Sequence, residues 1–483
     1  MEMTLTEDWL PKPGVLLEFT PTAASRAATA AATPSDAPAT YVQESHIRRW
    51  AARRHTEDPL ASELSLCFSV ATPLDADALR RAFTTFLQRH ESLRSWFELD
   101  ESAGKFALTR YLLEPGAVEL ETTTVGAFDS GEELRDLLVE KFHASAEPIK
   151  WPAFLCGAID HGADGFTLVY NTDHAFSDGL SLVTAIFELH ALYTAYSTGQ
   201  EPVLLPVGSY VEFARNERAA VAANPPELDK LATLVADSLD KVRPLPIDLG
   251  LAPGELADSR GTKVDLLDAA ECEAFSAACK AAGGSFSAGL FAAIALAELE
   301  FAGRTHYLGL NVVGTRQEPQ YQLAQGWFIN LLPISFEVDP TDHFTDLIGR
   351  AGVALDWVKP LANVPIHAAL ERAAALTGAP VPATTDWPWV SYMDVRAISG
   401  AALENALPNV HGINGLGSRA RMGQTSPMWF SRELDRLHVS MMFPDTAAAA
   451  TSAAAYLDSI RTALRAIATT GEYTATTPDF ARS

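Results

Sequence analysis

The hydrophobic pattern of this chain switches repeatedly between the period of a strand and the period of a helix. Residues 63–70 alternate, with Leu64, Leu66 and Phe68 on one face, which is typical of a half-buried strand. Residues 75–90 instead carry apolar side chains every three or four positions, which predicts an amphipathic helix. The same criteria predict strands over 154–159, 166–170, 307–313 and 331–338, and helices over 178–196, 285–301 and 451–469. This alternation predicts a mixed α/β fold.

The length of 483 residues is too great for a single hydrophobic core. Proline-rich stretches at 201–206 and 244–253 have the composition of connections between compact regions. We predict an N-terminal lobe over residues 1–210 and a C-terminal lobe over residues 211–483. Residues 22–40, rich in Ala, Thr, Ser and Pro, are predicted to form a surface loop or a weak helix.

The net charge is −25, from 61 acidic and 36 basic side chains. A field of this sign repels phosphate backbones, which argues against nucleic-acid binding, and it disfavours docking on an anionic membrane unless a local basic patch overrides it. Residues 48–55 form one basic cluster, which contains Arg48, Arg49, Arg53, Arg54 and His55. Phosphates of coenzyme A, an acidic carrier protein or a membrane surface would suit this cluster, but a solvated helix face with local ion pairs is the favoured interpretation.

The four cysteines show neither a CxxC pair nor a metal-type spacing with histidine, so no metal site is expected. Cys67 and Cys156 lie within apolar strand-like runs, where a cysteine is usually a small buried hydrophobe. The first eleven residues are acidic and lack the features of a signal peptide, and the apolar run at 288–297 is too short to cross a bilayer. We therefore predict a cytoplasmic protein without disulfides, and peripheral attachment at the inner membrane face stays open.

The most informative segment, residues 166–182, has the sequence FTLVYNTDHAFSDGLSL. A strand predicted to end at Asn171 is followed by a turn with His174, and Asp178 and Gly179 open a helix. A histidine just past a strand end is held by the sheet yet open to a cleft, where a neutral imidazole can remove a proton from a hydroxyl or an amine. Gly179 would permit close approach of a substrate to the main chain. A lone histidine at such a junction is more often a structural residue. The choice between a structural and a catalytic role for His174 therefore depends on the other segments of the chain.

This segment resembles the HHxxxDG motif shared by chloramphenicol acetyltransferase, nonribosomal peptide condensation domains and polyketide-associated acyltransferases, and it appears here as DHAFSDG over 173–179. Five further blocks stand in the order of that superfamily: YVQ at 41–43, RHESLRSWF at 89–97, YVEF at 210–213, VGTR at 313–316 and GWFINLLP at 326–333. Within the superfamily, the chain most resembles the polyketide-associated (Pap) acyltransferases of mycobacteria that acylate trehalose or sulfated trehalose. The segments that carry this likeness are residues 8–16, 94–99, 325–328 and 443–445.

The resemblance implies two chloramphenicol-acetyltransferase-like lobes in a V-shaped pseudo-dimer, with a substrate tunnel between them and floor-loop and latch crossovers in the C-terminal lobe. It implies that His174 is the general base and that Asp178 is a structural carboxylate paired across the lobes with Arg316. The chain departs from the motif at Asp173, where the superfamily usually has its first, structural histidine. An acidic residue there would help to orient the imidazole or would raise its pKa, and the sequence leaves both possibilities open.

Three further site residues follow from the resemblance. Gly179 is expected to offer its backbone N–H near the oxyanion. Trp327 and Asn330 are expected to line the tunnel floor, with an aromatic core residue and a turn-capping amide as their alternative roles.

The implied function is O-acyl transfer in lipid metabolism, from acyl-coenzyme A or a carrier-protein thioester to a hydroxyl of a sugar or polyol such as trehalose or a derivative. No permanently bound cofactor and no covalent acyl-enzyme are expected. One alternative is a free-standing condensation enzyme that forms an ester or amide in natural-product biosynthesis. Another is a non-catalytic recruitment module, which Asp173 mildly favours and the retained His174 argues against. The expected partners are a small-molecule donor and acceptor, a carrier protein or polyketide synthase is left open, and the chain is expected to be a monomer.

Overall fold

The computed structural model describes residues 2–407 and 409–476, which form two compact units. Unit 1 comprises the residues up to Ala223 together with Arg316–Ile329 and Gly400–Ala420. Unit 2 comprises Asn224–Thr315, Asn330–Ser399 and the residues from Arg421 onward. Both units contain helices and sheet, so the predicted mixed α/β class is confirmed. The lobe boundary after residue 210, the V-shaped arrangement and the tunnel stay predictions.

The strands and helices are numbered in chain order. The strands are β1 (Glu2–Leu5), β2 (Gly14–Pro21), β3 (Glu63–Val70), β4 (Ser95–Asp100), β5 (Ala107–Leu112), β6 (Leu120–Phe128), β7 (Phe154–Asp160), β8 (Phe166–Asp173), β9 (Ala257–Asp268), β10 (His306–Gly314), β11 (Ile329–Glu337), β12 (Val390–Asp394), β13 (Val410–Gly417), β14 (Arg421–Met422), β15 (Met428–Arg432) and β16 (Arg436–Pro444). The helices are α1 (Ala23–Ala30), α2 (Tyr41–Arg53), α3 (Ala76–Arg89), α4 (Gly131–Ser145), α5 (Gly179–Ser197), α6 (Tyr210–Ala222), α7 (Pro226–Ser238), α8 (Ala269–Ala281), α9 (Phe286–Ala302), α10 (Phe344–Val358), α11 (Ile366–Thr377), α12 (Gly400–Ala406) and α13 (Ala447–Thr470).

Unit 1 is built on a seven-stranded sheet in the order β1-β13-β3-β8-β7-β2-β6. Alternate residues of β3 face opposite sides of this sheet, as the period of a strand requires. Leu66 and Phe68 join the core that contains α3 and α5, whereas Cys67 joins the core that contains α4. The sheet is therefore covered by helices on both faces, and its central strands are held rigidly.

Strand β8 lies between β3 and β7, and every one of its residues is buried. The buried Asn171 amide within it is satisfied: its oxygen accepts a hydrogen bond from Ser65 at 2.7 Å, and its nitrogen donates to the Phe142 carbonyl at 3.0 Å. The predicted strand end at Asn171 is wrong, because pairing continues to Asp173, which lies opposite Glu63. This extension places His174 directly at the end of a central strand.

Helix α5 begins where the sequence predicted, because Asp178 is its N-cap and its side chain accepts from the Ser181 N–H at 2.7 Å. The helix ends before Gly199, which has a φ of 69°. This left-handed conformation suits glycine and stops the helix.

Unit 2 contains a five-stranded sheet in the order β12-β15-β16-β9-β14. The apolar run at residues 288–297 lies in α9, close to the predicted helix over 285–301, and Ala288–Leu299 are all buried. Among the described residues, no single helix has the length and apolar character to cross a membrane, although the bent pair α8 and α9 together meets that test by length and composition alone.

Candidate active site

His174 is fixed by its main chain and by one nitrogen of its ring. Its backbone N–H donates to the Ser62 carbonyl at 2.7 Å, which ties the residue to the start of β3. Its Nδ1 lies 3.0 Å from the Ser177 carbonyl oxygen. Because a carbonyl only accepts, Nδ1 is the protonated nitrogen, and the lone pair of the neutral ring is on Nε2. The residue as a whole is of intermediate exposure, and Nε2 is the ring nitrogen that carries the free lone pair of a base.

The protein around His174 favours its neutral form. Burial of the ring lowers the pKa of His174 to about 4, and the positive charge that the nearby His46 carries when protonated acts in the same direction. The hydrogen bond to Ser177 and the carboxylates of Asp173 and Asp178 oppose this shift but do not outweigh it. At neutral pH the imidazole is therefore uncharged and able to accept a proton.

Trp327 packs directly on the imidazole of His174. The two ring centroids are 3.9 Å apart with an interplanar angle of 31°. The indole is buried, and the Tyr210 hydroxyl donates to the Trp327 carbonyl at 3.1 Å, which fixes its main chain. Its Nε1–H has no hydrogen-bond partner in the part of the chain that the structure describes. Trp327 is thus a core aromatic that also contacts the predicted base, while its role in a tunnel stays a prediction.

Asp178 and Arg316 form a buried ion pair, as the resemblance implied, although both residues lie in unit 1 rather than in different units. Two guanidinium nitrogens of Arg316 donate to the two Asp178 oxygens at 2.7 and 2.9 Å. The Phe328 N–H also donates to Asp178 at 2.9 Å, and the guanidinium lies over the Phe328 ring at 4.3 Å. Burial raises the pKa of Asp178, but Arg316 and two backbone N–H groups outweigh burial, so the pKa lies below its usual value. The carboxylate therefore ties residues 316–329 to the start of α5.

Asp173 does not hydrogen-bond to the imidazole that follows it. Its Oδ1 accepts from the Ala175 N–H at 2.7 Å and lies 3.1 Å from Nε2 of His46 in α2. Gln43, on the same face of α2, donates to the Ala175 carbonyl at 2.7 Å. Sequence analysis missed His46, although two polar residues three positions apart on the apolar face of a helix were a signal that this face meets a polar partner.

Gly179 is the exposed first residue of α5. A Cβ added at this position would meet no heavy atom within 4 Å in the described structure, and its φ is not positive. Neither internal packing nor backbone conformation demands glycine here. Its N–H belongs to the first turn of α5, where backbone donors have no partner within the helix.

Asn330 belongs to unit 2, and its amide is engaged by the main chain of that unit. It donates to the Ala362 and Val364 carbonyls at 3.0 and 2.6 Å and accepts from the Ile366 N–H at 2.9 Å. These contacts favour the capping role that the sequence left open. The place of Asn330 on a tunnel floor stays a prediction.

Two arginines of the basic cluster at residues 48–55 form local ion pairs. Arg48 pairs with Glu44 at 2.8 Å, and Arg54 pairs with Glu101 at 2.5 Å. These pairs favour a solvated helix face.

A groove of about 500 Å³ lies beside Arg54, Trp96 and Tyr111, and none of the predicted site residues lines it. No group of three His, Cys, Asp or Glu side chains within residues 2–407 and 409–476 could hold a metal ion.

Comparisons with known proteins show which family and which solved fold this chain resembles. The profile of the condensation domain family matches residues 35–374. Acyltransferase PapA3 of Mycobacterium tuberculosis is 27% identical over 471 residues, which cover 96% of each chain. The 2'-acyl-2-O-sulfo-trehalose (hydroxy)phthioceranyltransferase PapA1 of Mycobacterium bovis is 29% identical over 98% of this chain and 89% of its own length. A solved structure of the PapA2 acyl transferase superposes with a TM-score of 0.87 at 25% identity, covering 97% of this chain and 100% of that one.

Proposed function

Because this chain belongs to the condensation domain family and is an acyltransferase, we propose that it moves an acyl group from a thioester to a hydroxyl of a sugar or polyol, with His174 as general base. The single observation that carries the proposal is the state of the His174 ring. The Ser177 carbonyl accepts a hydrogen bond from Nδ1–H, and the lowered pKa of His174 keeps Nε2 unprotonated at neutral pH.

Nε2 of His174 acts twice in the proposed reaction, first as a base and then as an acid. Nε2 takes the proton of the acceptor hydroxyl while the acceptor oxygen attacks the thioester carbonyl carbon. Since the low pKa makes His174 a weak base, proton removal accompanies formation of the carbon–oxygen bond. The tetrahedral oxyanion then collapses, the carbon–sulfur bond breaks, and the leaving thiolate takes the proton back from Nε2. The acyl group ends on the acceptor oxygen and the proton on the leaving thiol, so the reaction needs no covalent acyl-enzyme.

Two donors of unit 1 suit the oxyanion. The N–H of Gly179 stands at the N-terminus of α5, where the helix dipole favours negative charge. The buried Nε1–H of Trp327 lacks a partner among the described residues and belongs to the ring that packs on His174. A substrate oxygen placed beside His174 would satisfy this donor.

Trehalose or a derivative is the proposed acceptor, and acyl-coenzyme A or a carrier-bound acyl group is the proposed donor. The support for the acceptor is the likeness, over nearly the whole chain, to an enzyme named for its action on an acylated sulfo-trehalose. A cytoplasmic location and a monomeric state belong to the same proposal.

The test measures thiol release from acyl-coenzyme A donors of graded chain length, with trehalose, trehalose 2-sulfate, an amine or no acceptor. Wild type is compared with His174→Ala and with His411→Ala, a control for an exposed histidine of unit 1. We expect trehalose-stimulated release that is lost only in His174→Ala. Release stimulated only by the amine would favour the condensation alternative. Absence of His174-dependent release, with carrier-bound donors included, would favour the non-catalytic alternative.

A further inference from the structure

Helix α2 holds the motif turn at two points. Gln43 and His46 lie three residues apart, so they share one face of the helix. Gln43 binds the Ala175 carbonyl at 2.7 Å, and His46 approaches the Asp173 carboxylate at 3.1 Å. Arg110, itself fully buried, donates to Gln43 at 2.9 Å and fixes the amide. The turn that carries His174 is therefore held from α2 on both sides of that residue.

The buried carboxylate of Asp173 needs a hydrogen-bond donor, and His46 is in contact with it. Asp173 is completely buried, and no donor among residues 2–407 and 409–476 reaches its Oδ2. Its Oδ1 receives the Ala175 N–H and faces Nε2 of His46. An ionised carboxylate only accepts, so Nε2 must be the donor. A buried carboxylate is costly without a compensating charge, and His46 is the ionisable donor in contact with it.

The ring of His46 also lies close to the rings of His174 and Trp327. Its ring centroid lies 6.2 Å from that of His174 and 5.2 Å, edge to face, from that of Trp327. Trp327 in turn packs on His174 at 3.9 Å. The three rings form one cluster in unit 1, and Asp173 contacts it through His46.

We infer that His46 is a positioning residue for His174: by donating Nε2–H to Asp173 it fixes the motif turn and holds the imidazole against Trp327. The catalytic part of this inference rests on the proposed function, whereas the structural part does not. In this chain, the pair of His46 and Asp173 takes the place of the first histidine of the motif.

The charges of His46 and Asp173 act on the protonation of His174 in opposite directions. The groups that face His174 are His46 from α2, Asp173 before it, and Asp178, which is paired with Arg316. A positive His46 opposes protonation of His174, whereas the two carboxylates favour it. Removing the charge of His46 should therefore raise the pH at which His174 titrates, and removing the charge of Asp173 should lower it.

The test follows the His174 ring by nitrogen NMR in histidine-labelled full-length protein, with His174→Ala used for assignment. His46→Gln is compared with His90→Gln, which removes a second buried histidine–carboxylate contact of 3.1 Å, to Glu188. We expect His46→Gln to raise the titration midpoint of His174 and to mix its two tautomers, and His90→Gln to change neither. An unchanged midpoint and tautomer in His46→Gln would overturn the inference. Asp173→Asn, of nearly the same volume, probes the pair from its other side if His46→Gln does not fold.

Kinetics add a second readout. We expect His46→Gln to reduce kcat about 10- to 100-fold with little change in KM, because a small displacement of the base slows the chemical step. His46→Phe, which donates no hydrogen bond, should be slower than His46→Gln, and the effects of His46→Gln and Asp173→Asn should not add. Equal rates for Gln and Phe, or additive effects, would contradict the inference. If wild type transfers no acyl group, the proposed function fails and the NMR comparison still decides the positioning role.

Discussion

Arg316 and Asp178, which are 138 residues apart in sequence, form a buried bidentate ion pair in unit 1. The contact joins the VGTR block to the DHAFSDG motif and holds the N-cap of α5. Because Phe328 N–H donates to the same carboxylate, the pair also fixes the main chain next to Trp327. The position of the predicted base and that of the ring packed on it thus depend on one ion pair.

We predict that Arg316→Ala lowers the free energy of unfolding by about 3–5 kcal/mol, since it leaves Asp178 charged and buried. The control is Arg26→Ala, which breaks the half-exposed pair with Glu121 and should change this free energy by at most about 1 kcal/mol. Urea denaturation of both variants measures the difference. Equal losses in the two variants would show that the buried pair has no special role.

The pH dependence of kcat/KM should report the lowered pKa of His174. The base works when neutral, so activity is present above the pKa of His174 and is lost as the pH falls through it. Since that pKa is about 4, the acidic limb should lie well below pH 6.5. Asp178 has a pKa below its usual 3.8, so the ion pair should survive through most of this range. A pH–rate profile whose acidic limb lies near pH 6.5 would contradict the assignment.

Gly179→Ala should separate activity from stability. The added methyl group meets no protein atom within 4 Å, and alanine is the better helix former. We therefore expect an unchanged or slightly higher free energy of unfolding. We also expect a lower kcat/KM, because the methyl group would stand beside the backbone N–H that we propose as a donor to the oxyanion. Full activity in a stable Gly179→Ala variant would remove Gly179 from the site.

Gly326→Ala should have the opposite pattern, with stability and activity lost together. A Cβ at Gly326 would lie 2.3 Å from Cδ2 of Tyr210, whose ring is buried and cannot move freely. The overpacking should destabilise unit 1 by about 1–3 kcal/mol and displace Trp327. Gly417→Ala, where a Cβ meets nothing within 4 Å, is the control. Thermal unfolding and acyl transfer of the two variants measure the effect, and a Gly326→Ala variant equal to the control would contradict it.

Much of the fold could be predicted because its elements carry strong periodic patterns. Strand β3 and helix α3 lie within one residue of the predicted bounds, and Asp178 caps α5 as expected. Strand β8 was predicted too short, because a buried central strand can include polar residues when neighbours satisfy them. Asn171 does so through Ser65 and Phe142, and no pattern within β8 itself reveals these partners.

The residues of the site could be predicted only where they belong to a sequence motif. The partnership of Asp178 with Arg316 followed from the ordered blocks, and the structure contains it. The partner of Asp173 did not, since the contact with His46 depends on how α2 packs against the end of β8. Contacts of this kind are set by tertiary packing rather than by spacing along the chain.

The most direct test of His174-dependent acyl transfer to trehalose is mass spectrometry of the product formed from acyl-coenzyme A and trehalose by wild type and by His174→Ala, each shown to be folded. We expect an O-acylated trehalose with wild type, formed about 10²- to 10⁴-fold more slowly by the variant, which lacks the proposed general base. The same ester formed at the same rate by His174→Ala would contradict it.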